Sequence, residues 1–169
     1  MLYITRDMKK FDIQILYQLC KRQGENKTLS QFEHYLSEQQ EGFIKVIICE
    51  YESEIAGYII VRRFAKFGPY KKHKIPQIED ISIFPPYDEH GLRDFLMKTA
   101  EKFCSKYGDY ICMPCTFSQE GLKQQVYLSS LGYSYDGTGI WCADRLIEFN
   151  CDLSTSKIYF KKTLNRFFL

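Results

Sequence analysis

Glu79 and Asp80 stand side by side in Ile78-Glu79-Asp80-Ile81-Ser82-Ile83, a run with the composition of a β-strand. The chain then passes through Phe84-Pro85-Pro86-Tyr87 into a helical pattern around Gly91. Backbone N–H groups at a helix start have no intrahelical partner and lie at the positive end of the helix dipole. The stretch Glu89, His90, Gly91, Leu92, Arg93 and Asp94 is therefore an expected anion site, suited to a phosphate. A carboxylate half-buried in a strand-lined cleft is a candidate general base acting through water. Successive strand residues face opposite ways, so only one of Glu79 and Asp80 can face such a cleft unless a bulge intervenes, and the plainer reading of Glu79 is a strand-edge carboxylate in a salt bridge.

Cys112-Met113-Pro114-Cys115 carries a competing chemistry, because a Cys-x-x-Cys after a strand can be redox-active or half of a zinc site. A thioredoxin-like pair sits at a helix N-terminus, whereas the next helical signal here waits until about Glu120. Zinc needs two further ligands at matched spacing, and Cys104, Cys142, Cys151, His73 and His90 form no second pair, so no metal site is expected. Both cysteines read as small apolar residues of a strand core.

At 169 residues, 45% hydrophobic and 26% charged, the chain suits one compact domain with a substantial core. The aromatic content of 16% points to a well-filled interior or a ligand cleft. A net charge of +2 gives no general attraction for nucleic acid. No run approaches the roughly 18 apolar residues of a membrane span, and Met1–Arg6 has no signal-peptide core, so a cytoplasmic protein with reduced thiols is expected.

Several elements must position these residues. Leu2–Arg6 predicts a strand, and Met8, Phe11, Ile15 and Leu19 recur at helical spacing up to Gly24. Thr28-x-x-Gln31 is a capping box opening a second helix whose apolar side holds Phe32, Tyr35 and Leu36. Ile44–Tyr51 and Ile55–Phe64 form a hairpin around Glu52-Ser53-Glu54. The basic connection Ala65–Ile75 reads chiefly as a solvated tip, and otherwise as a contact for an acidic partner. After a helix from about Glu89 to Tyr107 come a strand at Tyr110–Cys115 and a helix at Glu120–Leu131 stopped by Gly132. Tyr133–Tyr135 and Ile140–Phe149 then predict a closing hairpin around Asp136-Gly137-Thr138-Gly139.

The strand Glu79-Asp80-Ile81-Ser82-Ile83, Tyr87, the central glycine Gly91 and the apolar Leu92 and Leu96-Met97 resemble the cofactor motif of the GNAT N-acetyltransferases. Asp88 and Arg93 depart from it, standing where that family has a basic or amide residue and a final Gly or Ala. Downstream, Tyr127-Leu128-x-x-Leu131-Gly132-Tyr133 resembles the Tyr-x-x-x-Gly-Phe end of a later helix in the family, although Glu120 replaces the Asn with which that helix often starts.

The resemblance implies a mixed α/β fold whose mostly antiparallel central sheet splays between its fourth and fifth strands and is flanked by helices. It implies an acyl-CoA-dependent N-acetyltransferase, with acetyl-CoA as donor and a small-molecule or peptide amine as acceptor. Ile81, Ser82 and Ile83 would take the pantetheine arm, and Glu89 through Asp94 the pyrophosphate. Family parity favours Glu79 over Asp80 as general base, and Tyr127 would protonate the departing thiolate. The alternative is a non-catalytic module of the same fold that has lost productive cofactor binding. Residues 1–149 would form the acyltransferase domain, and 150–169 an extension packing on it or on a homodimer partner rather than on a membrane. In that extension Phe160, Leu164, Phe167 and Phe168 share a helical face, while Lys157–Leu164 also reads as a strand.

Overall fold

The computed structural model describes residues 2–87, 91–147 and 152–164. Its elements run β1 (Ile4–Asp7), α1 (Asp12–Arg22), α2 (Leu29–Gln40), β2 (Ile44–Tyr51), β3 (Glu54–Arg62), β4 (Gln77–Ile83), α3 (Leu92–Cys104), β5 (Tyr110–Thr116), α4 (Gln119–Ser130), β6 (Ser134–Tyr135), β7 (Trp141–Cys142), β8 (Arg145–Leu146) and β9 (Lys157–Thr163). The β1–β2, β2–β3, β5–β9, β6–β9, β7–β8 and β7–β9 pairs are antiparallel, and β4 pairs with β5 in parallel at Gln77↔Cys112. The expected mixed α/β architecture with a mostly antiparallel sheet is present. The chain forms two compact units, Met1–Arg62 with Asp80–Ala100, and Arg63–Glu79 with Glu101–Leu169, so that β4 contributes residues to both.

In the first unit the apolar residues that drive folding lie on one side of β2 and β3 and on the inner faces of α1 and α2. Leu16, Cys20, Phe32, Ile44, Val46, Ile48, Tyr58, Ile60 and Phe84 form this core. Thr28 caps α2 as its sequence predicts, its Oγ1 accepting from Gln31 N at 3.1 Å while Thr28 N donates to Gln31 Oε1 at 2.8 Å. The β2–β3 turn is a two-residue hairpin in which Glu52 and Ser53 both have positive φ, 50° and 70°.

The inner face of α1 differs from the expected one. Phe11 and Ile15 are 61% and 45% exposed, and the buried residues are Asp12, Leu16 and Cys20. Asp12 takes an interior position because Arg6 binds both its oxygens, at 2.7 and 2.9 Å, while Lys9 N donates to it at 2.7 Å. An ion pair thus stands where periodicity looks for an apolar side chain.

In the second unit β9 lies alongside β5 over seven register pairs, from Tyr110↔Thr163 to Thr116↔Lys157, and takes β6 and β7 on its other side. Residues 157–163 are therefore an internal strand, and the amphipathic-helix reading of this segment gives way to its strand reading. Phe167 and Phe168 lie outside the described residues. The hairpin expected between Tyr133–Tyr135 and Ile140–Phe149 is also replaced: β6 pairs with β9, and β7 and β8 make their own hairpin through Ala143 and Asp144.

The connection Ala65–Ile75 is anchored through its apolar residues, while its basic side chains Lys66, Lys71, Lys72, His73 and Lys74 are exposed, in keeping with the solvated reading. Tyr70 and Tyr159 pack edge to face, with Ala65 and Cys112 in the same cluster. Tyr70 Oη donates to Asp136 at 2.5 Å, and Lys71 pairs with Asp144 at 2.6 Å. Gly68, at φ 84°, lies so close to the Tyr159 ring that any Cβ would overlap the phenol.

Candidate active site

Side chains of β4 alternate. Asp80 and Ser82 project toward the connection between α1 and α2, where each finds partners that sequence patterning does not signal. Lys27 forms an ion pair with Asp80, and the Tyr58 hydroxyl donates to the same carboxylate at 2.8 Å. Ser82 Oγ donates to Glu25 at 2.6 Å and accepts from Gln23 Nε2 at 2.8 Å. Burial would lower the Lys27 pKa, but the Asp80 carboxylate outweighs it and holds the ammonium above its ordinary value. Burial and the same carboxylate push the Tyr58 phenol upward, so it remains a donor. Asp80 is thus committed to fixing β4 and Tyr58 against the α1–α2 connection. Glu79 is half-buried and of opposite parity on the same strand.

Beyond Ile83 the chain reaches Gly91, whose φ of 70° belongs to the left-handed region, and α3 begins at Leu92. Phe95 N donates to Gly91 O at 3.1 Å, closing the first helical turn. Leu92 is fully buried and anchors this turn, while Arg93 and Asp94 are exposed on it. Asp88, Glu89 and His90 lie outside the described residues. Ile81, Ser82, Ile83, Gly91, Leu92, Arg93 and Asp94 all belong to the first unit.

Glu79 and Tyr127 belong to the second. Tyr127 is half-buried on α4, one residue before the fully buried Leu128. Both ends of this helix are fixed. At its start Ser118 Oγ accepts from Gly121 N at 3.0 Å, and a Cβ on Gly121 would overlap the carbonyl oxygen and hydroxyl of Thr116 on β5. Gly121→Ala is therefore expected to push α4 off β5 and to cost about 1–3 kcal/mol in chemical denaturation. At its end Gly132 turns at φ 86°, and Tyr133 is buried with its hydroxyl donating to Glu101 at 3.0 Å. Lys162 of β9 holds both Glu101 oxygens at 3.0 Å. The Leu131-Gly132-Tyr133 motif is thus the anchor of the helix that carries Tyr127.

Cys112 and Cys115 are fully buried on β5, three residues apart and so on opposite faces of the strand. Burial pushes both thiols up, that of Cys115 to about 12. Neither is placed for dithiol exchange, which needs an accessible thiolate. Among the described residues, no three His, Cys, Asp or Glu side chains are grouped to hold a metal ion, and no helix is long and apolar enough to cross a membrane.

No family model matches the chain, and no curated protein does. Solved structures do. A GNAT-family protein from Desulfovibrio desulfuricans superposes with a TM-score of 0.74 at 10% identity, over 97% of this chain and 100% of the other. The ribosomal-protein-S18-alanine N-acetyltransferase of Escherichia coli gives 0.67 at 14% identity, over 96% and 94%. The spermidine N-acetyltransferase of Vibrio cholerae, solved in complex with CoA and spermine, gives 0.69 at 11% identity, over 96% and 95%. At such identities the likeness establishes the architecture: the chain has the GNAT fold.

Proposed function

We propose that the chain is an acyl-CoA-dependent N-acyltransferase, moving acetyl from acetyl-CoA to the amine of a small molecule or peptide by direct attack. The observation that carries this reading is the β4–Gly91–α3 junction, at the place where the sequence resembles the cofactor motif, within a chain of GNAT fold. The likeness to an enzyme solved with CoA and spermine supports the choice of donor and of an amine acceptor. Ile81, Ser82 and Ile83 receive the pantetheine arm, and the amides of Glu89 through Asp94 receive the pyrophosphate. The amine nitrogen attacks the thioester carbon, and its surplus proton leaves through water to Glu79. The C–S bond then breaks and Tyr127 protonates the thiolate, giving an amide and CoA.

Calorimetric titration with acetyl-CoA and with CoA tests the reading before any acceptor is known. Binding of both supports it. Absence of binding at millimolar concentration replaces it with the non-catalytic module that Asp88 and Arg93 suggest. Asp88 places negative charge in the sequence beside the anion-binding turn. Asp88→Arg is therefore expected to tighten acetyl-CoA binding about tenfold, as read by the same titration, because an attraction replaces a repulsion.

A further inference from the structure

Four aromatic rings of the second unit, Phe64, Phe67, Tyr107 and Tyr110, are each between 40% and 53% exposed. Apolar surface gathered in one place and rimmed by polar groups marks an interaction site, which scattered single residues do not. Here the rings are linked by cations. Arg63 Cζ lies 5.6 Å from the Phe64 ring centroid and 4.5 Å from that of Tyr107. Lys161 Nζ lies 4.9 Å from the Tyr110 centroid and 5.9 Å from that of Tyr70. Tyr107 and Tyr110 are three residues apart where α3 leads into β5, and Tyr70 sits in the Ala65–Ile75 connection. Tyr107 and Tyr110 thus each have a cation over one face, and their exposure belongs to the other. Residues 63–74 hold five Lys or Arg, one His and no acidic residue. Asp144 offsets Lys71, while Lys72, His73 and Lys74 are exposed beside it. The net charge of +2 conceals this concentration: the second unit has thirteen basic and eight acidic residues, the first ten and thirteen.

We propose that this surface binds single-stranded nucleic acid, with bases stacking on the open faces of Tyr107 and Tyr110 and phosphates held by the cations of residues 63–74 and by Lys161. Every base has a π-face and every nucleotide a phosphate, so rings alternating with cations match a splayed single strand. In a duplex the bases already stack on one another, and the rings would find no partner. An acidic peptide would use the cations and leave the rings in water. Ring faces and phosphates carry little information about sequence, so binding depends strongly on salt and weakly on base identity. None of these residues has a part in the proposed acyl transfer, and the two readings stand or fall separately.

Fluorescence anisotropy of a labelled, short, single-stranded polyuridylate titrated with the full chain reads the binding. Wild type should bind at about 50 mM salt and lose about tenfold or more in affinity by about 200 mM, as counterions compete for the phosphates. Tyr107→Ala and Phe64→Ala should each weaken binding about tenfold, whereas Tyr107→Phe, which keeps the ring, should bind as wild type does. The Lys72→Ala, Lys74→Ala double variant should weaken binding and flatten its salt dependence, and Lys123→Ala on α4 should do neither. All these side chains are exposed, so the variants should melt as wild type does and leave the acetyl-CoA titration unchanged. Failure to bind the RNA, Tyr107→Ala binding as tightly as wild type, or a duplex of equal length binding as tightly as the single strand overturns the proposal. So does equal competition by polyglutamate, which would make the surface a docking site for acidic peptide.

Discussion

Replacing Tyr127 by Phe is expected to lower turnover by about 10²–10⁴-fold, the range for loss of one positioned proton donor, while leaving acetyl-CoA affinity nearly intact. The substitution removes a hydroxyl and nothing else. α4 stays in place because its fixed points lie elsewhere, in the Ser118 cap, the Gly121 contact with Thr116, buried Leu128 and the Tyr133–Glu101–Lys162 cluster. A phenol with an ordinary pKa of about 10 is protonated at neutral pH and can give its proton to a thiolate. Steady-state kinetics with an identified acceptor read the result. Turnover within a factor of about two of wild type would remove Tyr127 from the mechanism.

The largest effect expected on stability lies at Glu38. Its carboxylate receives both ends of the Arg62 guanidinium, at 3.0 and 2.8 Å, and the two side chains are 8% and 5% exposed. The pair joins the end of α2 to the last residue of β3. Glu38→Ala leaves the guanidinium buried without this carboxylate and should cost about 3–5 kcal/mol. For a chain of this length that corresponds to a fall of roughly 6–20 °C in melting temperature. The Glu38→Leu, Arg62→Met double variant should recover most of the loss, since neither charge is then stranded. Glu120→Ala is the contrast, because its contact with Lys123 joins side chains that are 86% and 77% exposed. It should change stability by less than about 0.5 kcal/mol. Equal effects of Glu38→Ala and Glu120→Ala would show that the buried pair has no special weight.

The sequence displays clearly those elements whose signals are local. The Thr28–Gln31 capping box, the Ile44–Tyr51 strand and the Gly132 helix stop each depend on neighbouring residues, and each is present. What periodicity could not show depends on partners far along the chain. Asp12 is interior because of Arg6, and β6 pairs with a strand more than twenty residues away. The candidate site divides the same way. Gly91 and the start of α3 follow from turn and helix chemistry, and Tyr127 from a motif. The Gln23, Glu25, Lys27 and Tyr58 partners of β4 lie on a loop and an inner strand, where no spacing rule marks them.

The position of β9 has a consequence for how the polypeptide is made. β5 and β6 both leave the ribosome before the strand that lies between them in the sheet, so the second unit cannot close during synthesis of its earlier parts. Until residues 157–163 emerge, the backbone groups of β5 that later pair with them present an open edge to other chains. Nascent chains stalled before this strand should be the species that chaperones hold and that aggregate when chaperones are scarce.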